Sequence, residues 1–375
     1  MFLAGLHNLP WPVFCAWLGL FIRTFAGASR WEVATNASLQ IILAREALTR
    51  HSVDPGPDSL RNRLLVPILH THKLNVSELD ESGLQYHWAL RCSITSLKKH
   101  LEPATPIDVF VFVRPQYVAI APDWLTEHEH VHVLPLHEDG FRMPMAQLRP
   151  RDMSWSGGFS DEYRMMGDWR LTFQPAFAKG LGYQFVLQFD SDSYVMEPSK
   201  INLVHFMRSK TIWFANNHAF FYEVKGYMQG LPELTAFWIR TRRFNVKGPL
   251  YTKTRPANIS GLHTIENAIT ALEPFWTGWP GRMLSGFFVV IDMHWWFDRW
   301  VSDFVELVVK TGAHIEHRWN ELSVQSIIWD VFVPEAHSYS FSPVEEIHGG
   351  HSRLVEQLYM HCFGYLNTTN TTYGM

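Results

Sequence analysis

The chain has 375 residues, of which 47% are hydrophobic and 18% are charged, and its formal net charge is −4. A charged fraction below the roughly 25% of an average globular chain excludes a disordered tail, a coiled coil and a collagen-like fibre. The slight acidic excess indicates no basic surface for nucleic acid, and the length suits two or three domains or one large α/β domain.

The first predicted element is an apolar segment at the N-terminus. Residues 11–22 carry no charge, and Arg23 follows them. A bilayer-spanning helix needs about 20 apolar residues, so this run is short for an anchor and fits a signal-peptide core. Ala26 to Ala28 provides a small-x-small cleavage site. We predict that residues 1–28 are a signal peptide or a short signal anchor, with a buried helix of the mature protein as the alternative.

Sequons and cysteines indicate the compartment. Asn-x-Ser/Thr sequons begin at Asn36, Asn75, Asn258, Asn367 and Asn370. Together with the apolar N-terminus they predict entry into the secretory pathway. Cys92 and Cys362 are the pair outside the apolar segment, so at most one bridge between them is available if their geometry permits.

Residues 29–100 read as a stem with a helical lead-in. Apolar spacing predicts a helix over 34–50 and another over 87–100. We therefore place the start of the catalytic domain at residue 101 and its end at 375.

From residue 101 the pattern is that of a layered α/β domain. Apolar, β-branched runs of the kind buried on both faces of a parallel sheet predict strands over 107–113, 130–136, 183–189 and 285–291. Helical spacing predicts helices over 161–173 and 295–310, the second ending before Gly312. Alternating strands and helices predict an α/β fold.

The acidic motif Asp190-Ser191-Asp192 directly follows the strand predicted over 183–189. In open α/β sheets, ligands bind beyond the carboxyl ends of the strands, so both carboxylates are expected in a binding crevice. Hard divalent cations prefer oxygen ligands and share them with substrate phosphates. The motif therefore predicts a metal held against a diphosphate, and the alternative is a turn with an aspartate cap.

Histidines form two further candidate sites. His128, His130 and His132 would share one face of a strand, where three imidazoles could bind zinc. His348 and His351 flank two glycines that permit close backbone approach, and either histidine could complete a metal site or contact a phosphate. The alternatives are a polar strand face and a solvated loop.

Several familiar nucleotide and hydrolase motifs are absent from the sequence. It has no Gly-x-x-x-x-Gly-Lys-Ser/Thr loop, no Gly-x-Gly-x-x-Gly after a strand and no Gly-x-Ser-x-Gly elbow. P-loop kinases, Rossmann dehydrogenases and α/β-hydrolases are therefore disfavoured.

Five blocks follow one another in order over roughly residues 105–352: Tyr163–Met166, Pro175, Asp190–Asp192, His317–Ser326 and Gly349–His351. In this order they resemble the fungal Golgi α-1,2-mannosyltransferase family, glycosyltransferase family 15. The first three correspond to the family's Tyr-Arg-x-Met helix, its proline and its strand ending in Glu-Pro-Asp. Its Glu-Arg-Trp-Gly-Asp-Ala-Pro-Val-His-Ser block corresponds to His317–Ser326, in which Arg318, Trp319, Val324 and Ser326 match. Its Gly-Tyr-x-His corresponds to Gly349–His351, with the tyrosine lost.

The resemblance implies a GT-A type nucleotide-diphospho-sugar transferase fold, with a mixed, mostly parallel sheet flanked by helices. It implies a type II membrane protein of the Golgi lumen, or a secreted one after cleavage, that uses Mn²⁺, with Mg²⁺ as an alternative. It implies GDP-mannose as donor and a glycan or glycoprotein acceptor. The residues carried over for the metal are Asp190, Asp192 and His351, and those for the donor are Asp190, Asp192, Tyr163, Arg164, Arg318 and Trp319.

The acceptor end departs from the family. Ungapped spacing places the family's proposed carboxylate nucleophile at Val289, and its later aspartate at Glu321. Three explanations stay open: a front-face route without a nucleophile, substitution by Asp292, or another sugar and acceptor. Asp292 could equally cap the helix that begins near His294.

We therefore expect a metal-dependent transferase in which Glu321 or a donor phosphate oxygen takes the acceptor proton, with Asp292 as a second catalytic candidate. Trp276, Trp279 and Trp319 are candidate sugar-stacking walls or core residues. The alternative hypotheses are a catalytically degenerate glycan-binding protein on the same scaffold, and a hydrolase that uses the histidine cluster.

Overall fold

The structure is a computed structural model. It describes residues 39–50, 56–74, 81–136, 141, 160–217, 220–223, 225–228, 230–248, 281–284, 288–317, 319–342, 346–347, 349–351 and 362. The predicted signal segment and all five sequon asparagines lie outside these residues.

The described helices alternate with short strands. The helices are α1 (39–50), α2 (Pro57–Leu60), α3 (Glu81–Ser96), α4 (Pro115–Val118), α5 (Asp123–Thr126), α6 (Asp161–Leu171), α7 (Phe173–Leu181), α8 (Leu203–Ser209), α9 (Leu231–Arg242), α10 (Met293–Trp296), α11 (Arg299–Thr311), α12 (Ala313–Glu316) and α13 (Glu321–Phe332). A π-helical turn, Leu97–Leu101, continues α3, and 3₁₀ turns lie at Lys225–Met228 and Glu335–His337.

The strands are β1 (Leu64–His70), β2 (Ile107–Val113), β3 (Val131–Pro135), β4 (Phe185–Gln188), β5 (Ser193–Val195), β6 (Phe214–Asn216), β7 (Phe220–Tyr222), β8 (Arg282–Leu284), β9 (Val289–Asp292), β10 (Ser338–Ser340) and β11 (Gly349–His351). Seven of them form one sheet in the order β10-β6-β9-β4-β1-β2-β3. Within it β9 runs antiparallel to β4 and β6, and the other pairs are parallel. The expectation of a mixed, mostly parallel sheet flanked by helices is confirmed.

Both faces of the sheet are buried, because side chains alternate along each strand. On β2, Phe110 and Phe112 pack into one core together with α6, α7, α11 and α13. Val109, Val111 and Val113 pack into the other core, against α3 and α8. This three-layer arrangement explains why β2 reads as a continuous apolar run in the sequence.

The four predicted strands correspond to β2, β3, β4 and β9, and the four predicted helices correspond to α1, α3, α6 and α11. The strand predicted over 107–113 is β2, and the helix predicted over 295–310 is divided between α10 and α11. Helix α11 ends at Thr311, and Gly312 follows with a left-handed φ of 69°, as expected of a helix-terminating glycine.

The predicted stem boundary is wrong. Strand β1 lies between β4 and β2 in the main sheet, so residues 64–100 belong to the α/β domain and not to a stem. Pro67 conceals this strand in the sequence, because proline has no N–H to give to a ladder. Pairing between β1 and β4 is confined to Leu64 and Leu65, which precede the proline.

A disulfide joins Cys92 on α3 to Cys362, with their Cα atoms 5.3 Å apart. The one bridge that the sequence allowed is therefore present. Across the described part of the chain, no helix combines the length and the apolar character needed to cross a bilayer.

Candidate active site

The acidic motif forms a closed turn at the carboxyl end of β4. Because β1, β2 and β4 are parallel, their carboxyl ends lie along the same edge of the sheet. The Ser193 N–H donates to the Asp190 carbonyl oxygen at 3.1 Å, and the Asp190 N–H donates to the Ser193 hydroxyl at 3.3 Å. The Asp190 side chain is 24% exposed, whereas Asp192 is 4% exposed.

Two serines of helix α3 hydrogen-bond to the backbone of this turn and of β5. The buried Ser93 hydroxyl contacts the carbonyl oxygens of Ser191, at 3.0 Å, and of Ser193. The Ser96 hydroxyl accepts a hydrogen bond from the Val195 N–H at 3.0 Å. The backbone of the acidic turn is therefore attached to a helix that packs on the sheet.

Strand β11 brings His351 to the same turn. In the antiparallel pair of β5 and β11, His351 lies opposite Ser193, one residue beyond Asp192. Gly350 permits this approach, because a Cβ atom on it would lie 2.6 Å from the Tyr194 ring. The expected close backbone approach at these glycines is therefore present.

Two carboxylates with a neighbouring imidazole suit a divalent cation such as Mn²⁺, which accepts oxygen and nitrogen ligands. The backbone places Asp190, Asp192 and His351 around one turn, so these residues fit a divalent cation. Among the described side chains, which do not include that of His351, no three His, Cys, Asp or Glu residues form a metal cluster.

Arg170 joins the two ends of the candidate site. Its guanidinium contacts the Asp190 carboxylate and, at 2.5 Å, Oε1 of Glu321. Burial lowers the guanidinium pKa, but the two carboxylates more than offset this effect and leave the pKa of Arg170 raised. Arg170 was not predicted from the sequence, where its one signal is a position between the apolar residues Trp169 and Leu171.

Glu321 occupies the first turn of α13. Asn320 caps this helix by accepting the Ser323 N–H at 2.7 Å, and Glu321 is the first helical residue. Its side chain is 2% exposed, and Oε2 has no hydrogen-bond partner among the described residues. Gly167 on α6 packs closely here, since a Cβ on it would lie 3.3 Å from that oxygen.

The other predicted residues of α6 lie at its N-terminal end. Tyr163 is half-buried near the cap formed by Ser160. Arg164 is 3% exposed, and its guanidinium donates to the carbonyl oxygens of Ile315 and, at 3.2 Å, Glu316. Arg164 therefore joins α6 to the end of α12.

His70 ends β1 on the same edge as the acidic turn. It is fully buried, and neither ring nitrogen has a hydrogen-bond partner among the described residues. Burial lowers the pKa of His70 to about 3, nearby His72 and His87 add to this effect, and Asp192 opposes it. His70 is therefore a neutral imidazole close to the acidic turn.

Asp292 is not part of this site. Because β9 is antiparallel, Asp292 pairs with Phe185 at the start of β4, on the opposite edge of the sheet from Asp190. Its Oδ1 accepts the His294 N–H at 2.7 Å and caps α10. The alternative role of Asp292 as a helix cap is therefore confirmed, and its carboxylate lies away from the acidic turn. Val289 lies opposite Gln188 and is fully buried.

The structure gives the histidine cluster and Trp319 other surroundings. His128 lies outside β3, which begins at Val131, and His130 contacts Arg63 and Asp108. Within the described residues these histidines form no metal-binding group of three. Trp319 is 1% exposed and packs in the core, which was the alternative expected for it. The side chains of Arg318, Trp276, Trp279, His348 and His351 lie outside the described ones.

The sheet order and the acidic turn at its carboxyl edge define a GT-A type fold. The structure is similar to that of the mannosyltransferase Ktr4p from S. cerevisiae in complex with GDP, with a TM-score of 0.58 and 12% identity over 78% of this chain and 71% of that chain. It is also similar to core-mannan synthase A (CmsA/Ktr4) from Aspergillus fumigatus in a Mn/GDP form, with a TM-score of 0.56 and 12% identity over 77% of this chain and 74% of that chain.

These similarities lie in the fold. The fold expected from the resemblance to glycosyltransferase family 15 is therefore the fold that the chain has. No family model matches the sequence, and no curated protein matches it.

Proposed function

We propose that this protein is a metal-dependent glycosyltransferase that moves a hexose, with mannose favoured, from a nucleoside diphosphate sugar to a glycan acceptor. The observation that carries the proposal is the pairing of Asp190 with Glu321 through Arg170 at the carboxyl edge of the sheet. The GDP and Mn/GDP forms of the two similar mannosyltransferases support GDP-mannose and Mn²⁺.

The cation would be held by Asp190, Asp192 and His351, with Mn²⁺ favoured and Mg²⁺ as the alternative. When bound, it supplies Lewis-acid stabilisation of the charge on the departing nucleoside diphosphate. Arg170 keeps the Asp190 carboxylate at the edge of the sheet and adds a fixed positive charge beside the diphosphate position.

Glu321 or a donor phosphate oxygen takes the proton of the acceptor hydroxyl in this proposal. Oε1 of Glu321 is held by Arg170, so the base would be Oε2. The variant Glu321→Gln separates the two routes, because glutamine still accepts from Arg170 but cannot take the proton. Loss of transfer with nucleotide binding retained assigns the proton to Glu321, whereas near-normal transfer assigns it to the phosphate.

The decisive experiment measures donor hydrolysis and thermal stabilisation of the full chain. GDP-mannose, UDP-glucose, UDP-galactose and UDP-N-acetylglucosamine are each tested with Mn²⁺ and with a chelator. The Asp190→Asn/Asp192→Asn variant is compared with Asp58→Asn, whose side chain is 95% exposed. We expect metal-dependent stabilisation by one donor, absent from the double variant and normal in the control. No response to any donor in wild type would refute the transferase proposal.

The same measurements test the alternative of a glycan-binding protein without catalysis. Metal-dependent nucleotide binding with no turnover under any donor and acceptor pair would support that alternative.

We also propose a secretory-pathway location, in the Golgi lumen, with membrane association through the N-terminus if it is uncleaved. The Cys92–Cys362 disulfide supports an oxidising compartment. A mobility shift on removal of N-linked glycans would test this location.

A further inference from the structure

A cavity lies at the opposite edge of the sheet from the acidic turn. Its volume is about 210 Å³, and it lies beside Asp292 and the start of β6. Aromatic and polar side chains share its lining, chiefly Trp213, Trp295, Trp300, Asp292, Asp298 and Lys247. Nothing in the proposed transfer reaction uses this cavity.

The half-buried tryptophans of the cavity are held in fixed orientations. The Trp213 ring stacks on His337 with centroids 3.9 Å apart and an interplanar angle of 4°. The Trp300 ring lies under the Arg299 guanidinium at 4.4 Å. The Trp213 backbone donates to the His337 carbonyl at 2.8 Å and accepts the Asp292 N–H at 2.9 Å. These rings are therefore ordered before any ligand arrives.

Carboxylates stand beside these rings. Asp292 is 8% exposed and its Oδ2 accepts from the Gln184 amide at 3.3 Å, so its carboxylate is held in place. Asp298 is exposed, and its Oδ1 caps α11 by accepting the Trp300 N–H at 2.9 Å. The cavity thus combines flat apolar walls with fixed hydrogen-bond acceptors.

This combination selects among ligand classes. Two aspartates disfavour an anion, and a wholly apolar ligand would leave the buried Asp292 carboxylate without solvent. An alkylammonium ion suits aromatic rings and carboxylates, but Lys247 on the lining and Arg299 over Trp300 oppose a cation. A sugar offers C–H faces to indole rings and hydroxyl donors to carboxylates, and the cavity has room for one monosaccharide ring.

We propose that this cavity binds a hexose unit of a neutral glycan, at a site separate from the acidic turn. The choice of a mannose-containing glycan as the probe rests on the proposed function. The two sites lie on opposite edges of one rigid sheet, so a branched or extended acceptor held here would be retained near the protein between transfers.

The test is a titration of the full-length protein with α-mannotriose, followed by tryptophan fluorescence and saturation-transfer NMR. We expect Trp213→Ala to weaken binding by at least about tenfold, because it removes a stacking wall. Asp298→Asn keeps the helix cap but loses the charge, and we expect a weakening of several-fold with an unchanged melting temperature. Trp124→Ala removes a half-buried tryptophan elsewhere and should leave binding unchanged.

The Asp190→Asn/Asp192→Asn variant separates this inference from the proposed function. Retained mannotriose binding in that variant supports a second site, even if the wild type turns over no donor. The inference is overturned if wild type does not bind mannotriose, if neither Trp213→Ala nor Asp298→Asn weakens binding, or if the Asp190/Asp192 variant abolishes it. Tighter binding of tetramethylammonium than of mannotriose would also overturn it, in favour of a cation site.

Discussion

The Arg170→Met substitution removes the guanidinium that joins Asp190 to Glu321 and keeps a side chain of similar length. The two ion pairs are unequal, because the Glu321 side chain is 2% exposed whereas that of Asp190 is 24% exposed. Removing one partner of a buried ion pair costs about 3–5 kcal/mol, whereas exposed pairs contribute about 0.2–1 kcal/mol. We therefore expect a loss of about 3–5 kcal/mol, most of it from the charge left on Glu321.

Urea unfolding of two double variants tests this division. Arg170→Met/Glu321→Gln neutralises the buried carboxylate and should restore most of the lost stability. Arg170→Met/Asp190→Asn neutralises the more exposed carboxylate, which water can still solvate, and should restore no more than about 1 kcal/mol.

Equal recovery in the two double variants would refute the reasoning that burial decides the cost. A fully stable Arg170→Met variant would show that the guanidinium does not hold the site together. Arg170→Lys serves as the conservative control, since one ammonium cannot reproduce the planar fork that meets both carboxylates. We expect it to retain more stability than methionine and to lose the Mn²⁺-dependent thermal shift in part.

Three further predictions concern the disulfide, β11 and a buried glutamate. Replacing Cys92 and Cys362 by serine should cost about 2–5 kcal/mol in unfolding free energy, and a reducing agent should change nothing in that variant. Gly350→Ala should displace β11 from Tyr194 and weaken Mn²⁺-dependent nucleotide binding, while Gly350→Ala/Tyr194→Leu should recover it; normal binding in the single variant would contradict the close packing. Burial raises the pKa of Glu233 from its ordinary 4.5 to about 8, although backbone hydrogen bonds oppose this. Between pH 4.5 and 8 the folded state thus binds more protons than the unfolded state, so the free energy of unfolding should fall as the pH rises. The slope should be at most about 1.4 kcal/mol per pH unit, and Glu233→Gln should flatten it in urea unfolding.

Four of the seven strands of the main sheet, β2, β3, β4 and β9, were predictable from the sequence because burial on both faces gives a local apolar run. Ile107–Val113 is apolar or aromatic at six positions and is predicted with the bounds that the structure has. Leu64–His70 escaped prediction, because Pro67 interrupts the pattern that marks a strand and only the neighbouring strands show that it is central.

The acidic turn was predictable for a related reason. Asp190 and Asp192 follow a recognisable strand, and the carboxyl ends of parallel strands gather at one edge. The position of Asp292 was not predictable, because nothing in the residues of β9 states whether that strand runs parallel or antiparallel to β4. A reversed strand moves its last residue to the other edge of the sheet, and with it the candidate nucleophile.

The sequence by itself therefore determined the α/β class, four of the seven strands of the main sheet, the helices α1, α3, α6 and α11, and the carboxylates of the candidate site. Those features depend on periodicity, caps and turn residues within short stretches of chain. Only the tertiary structure decided that Arg170 pairs with Asp190 and with Glu321, which lies 151 residues away in the chain. Such a contact depends on strand order, strand direction and helix packing, which are set by long-range pairing and leave no local pattern at the residues that they bring together.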